Sequence, residues 1–124
     1  MRLLAVAFAV VIPTLLGAQT FEVLEATIQD AHSAMEDGRL TCRSLVQGYL
    51  DRIAAFDQTG PRLNAVQHLN ERALEQADAL DATMASTGLS GPLHCIPVLL
   101  KDQVETADMP TTYGSALFQD FVPT

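Results

Sequence analysis

Gly91-Pro92-Leu93-His94-Cys95-Ile96-Pro97-Val98-Leu99-Leu100-Lys101-Asp102 is the stretch on which the reading of this chain turns. Its second half, residues 96–100, is apolar throughout and bounded by turn-forming residues and a charge. Continuous apolar runs of this length suit a strand covered on both faces, as in a largely parallel sheet. Lys101 ends the run. It is the single lysine of the chain, every other basic side chain apart from the histidines being Arg. Burial disfavours the charged form of an amine, so a lysine at the end of a buried strand is placed to act as a base. A lysine after an apolar run also commonly snorkels to water, and spacing alone does not separate these two readings.

Helical patterns lie upstream. Thr20 can cap a helix that begins at Phe21, with Phe21, Leu24, Ile28, Ala31 and Met35 on one face. Glu22 and Glu25 sit early in it, where the helix dipole favours acids, and Gly38 ends it. Thr41 is a second N-cap. Leu45, Tyr49, Ile53 and Phe56 form the next stripe, closed by Gly60-Pro61. Residues 63–69 alternate partly between turn residues and read as a short strand. Asn70 can cap a third helix in which Ala73, Leu74, Ala77, Leu80 and Met84 face inward, followed by a loop over 86–91. From Asp102 onward the chain is loop-like, rich in Thr, Gly and Pro. The order helix, helix, strand, helix, strand predicts an α/β layer arrangement. Two strands cannot make such a sheet alone, so the rest of it is expected from elsewhere.

The 124 residues leave room for one domain. With 15 acidic residues against 7 Lys and Arg, the net charge of −8 argues against nucleic acid or an anionic membrane surface as a partner. Residues 1–18 read as a secretory signal peptide. Arg2 supplies a positive start, 3–12 is an apolar run, Pro13 breaks it, and Leu16-Gly17-Ala18 offers a small-residue cleavage point before Gln19. The alternative is an uncleaved anchor, but the run falls short of the ~20 apolar residues a span requires. A secreted or periplasmic location is therefore expected, with no membrane association after cleavage. Cys42 and Cys95 fit an exported protein with one disulfide, or equally two small buried thiols. They lie in different predicted elements, with no metal-ligand spacing around them.

Residues 91–102, together with Asp108-Met109-Pro110-Thr111-Thr112-Tyr113-Gly114-Ser115, resemble the amidase signature family of serine hydrolases. The helix predicted over 41–57, followed by Leu63-Asn64-Ala65-Val66, is similar to that family's N-terminal region. The resemblance implies a mixed sheet covered by helices, of which 19–124 is the N-terminal part. It implies hydrolysis of the carbon–nitrogen bond of a small amide by a Ser-cisSer-Lys mechanism, with Lys101 as the base and without cofactor or metal. The family's Gly/Ser-rich segment with both serines has no counterpart here. Ser33, Ser44, Ser86, Ser90 and Ser115 are helix or loop residues by pattern and do not replace it. This chain alone is therefore expected to be inactive.

His94 falls where the family often has His, and support of the loop is its expected role. The family usually has Gly where Cys95 stands, Asn at Gln103, Asp at Glu105 and a smaller residue at Tyr113. Gly often marks a positive φ or close packing, so a side chain at 95 bears on the backbone there. Two other readings compete. One is a non-catalytic helical module that binds a protein partner through its apolar faces. The other is the related amidotransferase component that works on aminoacyl-tRNA, against which the leader argues because that chemistry is cytosolic. Neither the particular amide nor the oligomeric state is legible. N-terminal sequencing of secreted protein is expected to begin at or beside Gln19; a soluble product retaining Met1 would contradict the leader.

Overall fold

The computed structural model describes residues 21–123, in which three α-helices and one short 3-10 turn are formed. The leader expected over 1–18 lies outside the described residues, as does Thr20. Helix α1 spans Ile28–Glu36, α2 spans Cys42–Phe56, α3 spans Ala73–Thr87, and the 3-10 turn covers Ala116–Phe118. Among the described residues no helix is long and apolar enough to cross a membrane.

The first helix starts seven residues later than its apolar stripe predicts. The cap is Thr27, whose hydroxyl accepts from the Asp30 amide at 3.1 Å while the Asp30 carboxylate accepts from the Thr27 amide at 3.0 Å. This reciprocal capping box satisfies the first turn locally. Glu25 has φ +57, which breaks any helix running in from Phe21. Phe21 and Val23 still pack on the core, but as an irregular segment. It crosses α2 at Gly48, where an added Cβ would meet Val23 at 3.4 Å.

Helix α2 begins where expected. Thr41 caps it by accepting from the Ser44 amide at 3.0 Å. Its N-terminal amides are also held from α3: Asp81 accepts from Cys42 N at 2.7 Å and from Arg43 N at 3.0 Å. A carboxylate on the free amides of a helix start satisfies donors and complements the dipole. Helix α3 packs along α2. Its cap position is Arg72 rather than Asn70. Asn70 instead forms the turn before it, its side-chain oxygen accepting from Arg72 N at 2.9 Å. The buried core is small: Ala31, Ala34, Met35, Leu40, Cys42, Leu45, Ala77 and Cys95.

The two expected strands are not formed among the described residues, and the mixed sheet is not among them. Residues 63–66 fold back onto the end of α2 instead. Leu63 N donates to the Phe56 carbonyl at 3.0 Å and Asn64 N to the Asp57 carbonyl at 2.9 Å. The buried Asp57 carboxylate takes the next two amides, Ala65 at 2.6 Å and Val66 at 3.3 Å. Arg62 and Asn64, at φ +57 and +50, are incompatible with an extended ladder. The Ala65 amide above all holds the Asp57 carboxyl below the usual carboxylate range, against the opposing effect of burial. Residues 96–100 meet no neighbouring strand among the described residues, and Pro97 lacks an amide to offer one. Ile96 packs against the core, but the side chains of 97–100 lie open, with Leu99 80% exposed.

Cys42 and Cys95 are joined as a disulfide, with Cα atoms 5.2 Å apart and 53 residues of separation. Cys95 has φ +61, the left-handed region that favours glycine. Closing a loop of this length removes unfolded-state entropy equivalent to about 4 kcal/mol, against which the left-handed Cys95 costs on the order of 1 kcal/mol. Breaking the bond is expected to cost the intact protein about 2–4 kcal/mol in denaturant unfolding. The pair Cys42→Ala/Cys95→Gly should be more stable than Cys42→Ala/Cys95→Ala by roughly 1 kcal/mol. Equal stability of the two pairs would deny the backbone constraint at 95.

Candidate active site

Lys101 stands at the end of the apolar run 96–100, and its side chain is exposed. Its carbonyl accepts from Val104 N at 2.8 Å, closing a tight turn over 101–104. The lysine lines a pocket of about 510 Å³ with Gln67, Asp102, Gln103, Thr112 and Ser115 among its walls. Both segments read as strands thus converge there, Gln67 from 63–69 and Lys101 from the end of 96–100.

The opposite wall is the turn over 112–115, and Asp102 holds it. The Asp102 carboxylate accepts from Thr112 N at 2.9 Å, from the Thr112 hydroxyl at 2.5 Å and from Gly114 N at 3.0 Å. Gly114 adopts φ +75, the left-handed region that favours glycine, and its amide donates to the carboxylate. The Thr112 hydroxyl first, then the Thr112 and Gly114 amides with His68 nearby, hold the Asp102 carboxyl below its usual range; burial opposes them. Sequence pattern does not single out Asp102. Its partners lie 10 and 12 residues away across a loop, and no periodicity marks such a closure.

Tyr113 and Glu105 bond each other, the phenol donating to the carboxylate. That bond is the first cause holding the Tyr113 phenol above its usual range, with burial and the charges of Glu105 and Asp102 adding to it. Tyr113 adopts φ +52 and packs with Phe118 and Phe121, ring centroids 5.8 and 6.3 Å away. Ser115 caps the 3-10 turn, its hydroxyl accepting from Leu117 N at 3.3 Å.

His94 is buried beside the disulfide. The Ser90 amide donates to its Nδ1 at 3.3 Å, and the Ser90 hydroxyl lies 2.8 Å from the same nitrogen. An amide only donates, so Nδ1 accepts and Nε2 carries the proton, directed at Cys42 Sγ at 3.7 Å. The His94 carbonyl accepts from His32 Nε2 at 2.9 Å. These bonds tie 90–95 to α1 and α2. Cys42, His94 and Cys95 bring three metal-ligating atoms within 4.8 Å of one another, but a disulfide offers no thiolate to a metal.

Comparison with known proteins gives this geometry a family. The amidase family model matches residues 44–124. The chain is 48% identical over 75 residues to the A-type component of the glutamyl-tRNA(Gln) amidotransferase of Nitratidesulfovibrio vulgaris, covering 60% of this chain and 15% of that protein. It is 33% identical over 110 residues to mandelamide hydrolase of Pseudomonas putida, covering 88% of this chain and 21% of that one. The solved peptide amidase of Stenotrophomonas maltophilia superposes with a TM-score of 0.77 at 46% identity, over 80% of this chain and 20% of that chain. The chain belongs to the amidase family. It spans about a fifth of the length of the relatives it matches.

Because the folded-state pKa of Asp102 is depressed, the stability its charge contributes is present above about pH 4 and is lost as pH falls through the lower folded-state value. The stability advantage of the wild type over Asp102→Asn is expected to be constant above about pH 4 and to shrink below it. Urea unfolding of the intact proteins across that range reads it, and an advantage unchanged into strong acid would contradict it.

Proposed function

We propose that this chain carries the lysine of an exported amidase that hydrolyses the carbon–nitrogen bond of a small amide. The observation that carries the reading is the placement of the single lysine, Lys101, on a pocket walled by the 112–115 turn, within a chain that belongs to the amidase family. Solved structures and relatives that include a peptide amidase and mandelamide hydrolase support amide hydrolysis as the chemistry. The reading extends to residues 19–124 as the N-terminal part of the enzyme, preceded by a leader.

The chemistry follows from the amine. A serine hydroxyl barely ionises at neutral pH and needs a base to attack a carbonyl. In the Ser-cisSer-Lys scheme a neutral Lys101 Nζ takes the proton of the intermediate serine. That serine takes the proton of the nucleophile, whose oxygen bonds to the amide carbon. As the carbon–nitrogen bond breaks, the same relay returns the proton to the leaving amine, and water then releases the acyl group. Both serines belong to parts of the enzyme outside the described residues. The apolar side chains flanking Lys101 fit the desolvation that a neutral amine requires: Val98, Leu99 and Leu100 border a groove of about 1000 Å³ with Ile53, Phe56 and Leu63. Sheet strands of the whole enzyme covering this groove would bury that flank.

In the intact enzyme, Lys101→Ala is expected to lower kcat for a simple aryl amide by roughly 10²–10⁴-fold. Residues 19–124 alone should show no turnover. An unchanged kcat in Lys101→Ala would remove Lys101 from the reaction.

A further inference from the structure

Asp102 follows Lys101 directly in the chain and grips the far side of the pocket that Lys101 lines. Its carboxylate accepts three bonds: the Thr112 amide at 2.9 Å, the Thr112 hydroxyl at 2.5 Å and the Gly114 amide at 3.0 Å. Bonds to an ionised acceptor are about twice as strong as neutral ones, and three of them leave the side chain one orientation. The Thr112 hydroxyl also lies 3.1 Å from the Gly114 amide, so the gripped turn is closed on itself. On the other side, the Lys101 carbonyl is held by the Val104 amide at 2.8 Å. The peptide between Lys101 and Asp102 is planar, with its Cα atoms about 3.8 Å apart. Lys101 Cα is therefore tethered one peptide away from a side chain anchored on the 112–114 turn. A long lysine side chain has many rotamers, so the reach of its amine is only as well defined as the main chain it leaves.

We propose that Asp102 is a positioning residue, whose carboxylate clamps the 112–114 turn and so fixes the main chain from which Lys101 reaches into the pocket. The inference rests on the reading of Lys101 as the base. Its signature is a loss in kcat rather than in KM, because a misplaced base slows proton transfer while substrate binding persists. A clamp that only kept the loop folded would show in stability and leave the rate per folded enzyme unchanged.

The test uses the intact enzyme with a simple aryl amide and the variants Asp102→Asn, Thr112→Val, their double, Thr112→Ser and Lys101→Ala. Asp102→Asn and Thr112→Val are each expected to lower kcat roughly 10- to 100-fold, with KM within about threefold of wild type. The double should be no worse than Asp102→Asn alone, since both break one tie. Thr112→Ser keeps the hydroxyl and the amide and should restore the wild-type kcat. Should Asp102→Asn fail to fold by circular dichroism, Thr112→Val against Thr112→Ser carries the same comparison. Near-normal kcat in Asp102→Asn or Thr112→Val, in an enzyme that Lys101→Ala silences, would overturn the inference and leave the lysine reading standing. A loss confined to KM, or multiplying effects in the double, would do the same. An undiminished kcat in Lys101→Ala would overturn both.

Discussion

Cys42 is the first residue of α2 and Cys95 lies six residues before the lysine, so one covalent bond ties the three-helix packing to the segment that forms the pocket. The bond does not act alone. Asp81 holds the amides at the start of α2 from α3, and His94 directs its Nε2 proton at Cys42 Sγ while its carbonyl accepts a hydrogen bond from His32 on α1. Helices α1 and α2 thus meet the 90–95 loop at one buried point, and α3 braces the start of α2 beside it. Its members, Cys42, Cys95, His94 and His32, are all nearly inaccessible to water. Buried polar groups persist where each has a partner, and no buried side-chain nitrogen or oxygen among the described residues lacks one.

Two non-glycine residues near the lysine adopt a left-handed backbone, and each is bonded through its side chain to a distant partner. Cys95 occupies a left-handed backbone position that suits glycine, and its side chain is bonded to Cys42. Tyr113 also occupies such a position, and its phenol is bonded to Glu105. In each case the larger side chain reaches a partner that over-determines the local backbone. That is the circumstance in which a non-glycine residue persists at positive φ. Cys95 lies in the loop before the lysine run and Tyr113 in the pocket wall beyond it, so the site is framed by them without being altered at Lys101 itself.

The open apolar groove has the same origin as the missing sheet. Val98, Leu99 and Leu100 form a run that only a doubly covered strand would bury, and within 21–123 nothing covers them. The helices meanwhile bury a core made mostly of alanine and cysteine, with Met35, Leu40 and Leu45 as its larger members. The packing is thus complete on the side of the disulfide and open on the side of the lysine. The Asp102 clamp matters more in this setting, because it orders the pocket wall with hydrogen bonds where apolar burial is not yet supplied.

Local chemistry was legible in the chain. Thr41 announced the start of α2, Gly38 the end of α1, and the apolar stripes all three helices, because caps and helical period act over a few residues. The motif around Lys101 marked the family, since residue identities within a short segment carry that information directly. Long-range closure was not legible. The stripe that includes Phe21 and Leu24 continued the α1 pattern, yet Thr27, Asp30 and a left-handed Glu25 stopped the helix at Ile28. Residues 63–66 alternated like a strand, yet Asp57 captured their amides. Whether Cys42 and Cys95 meet, and that Asp102 holds a turn ten residues on, depended on where loops fold back in space. Hydrogen bonds and disulfides require angstrom proximity, and proximity between distant residues is a property of the packed chain, whereas caps, stripes and motifs are properties of neighbours along it.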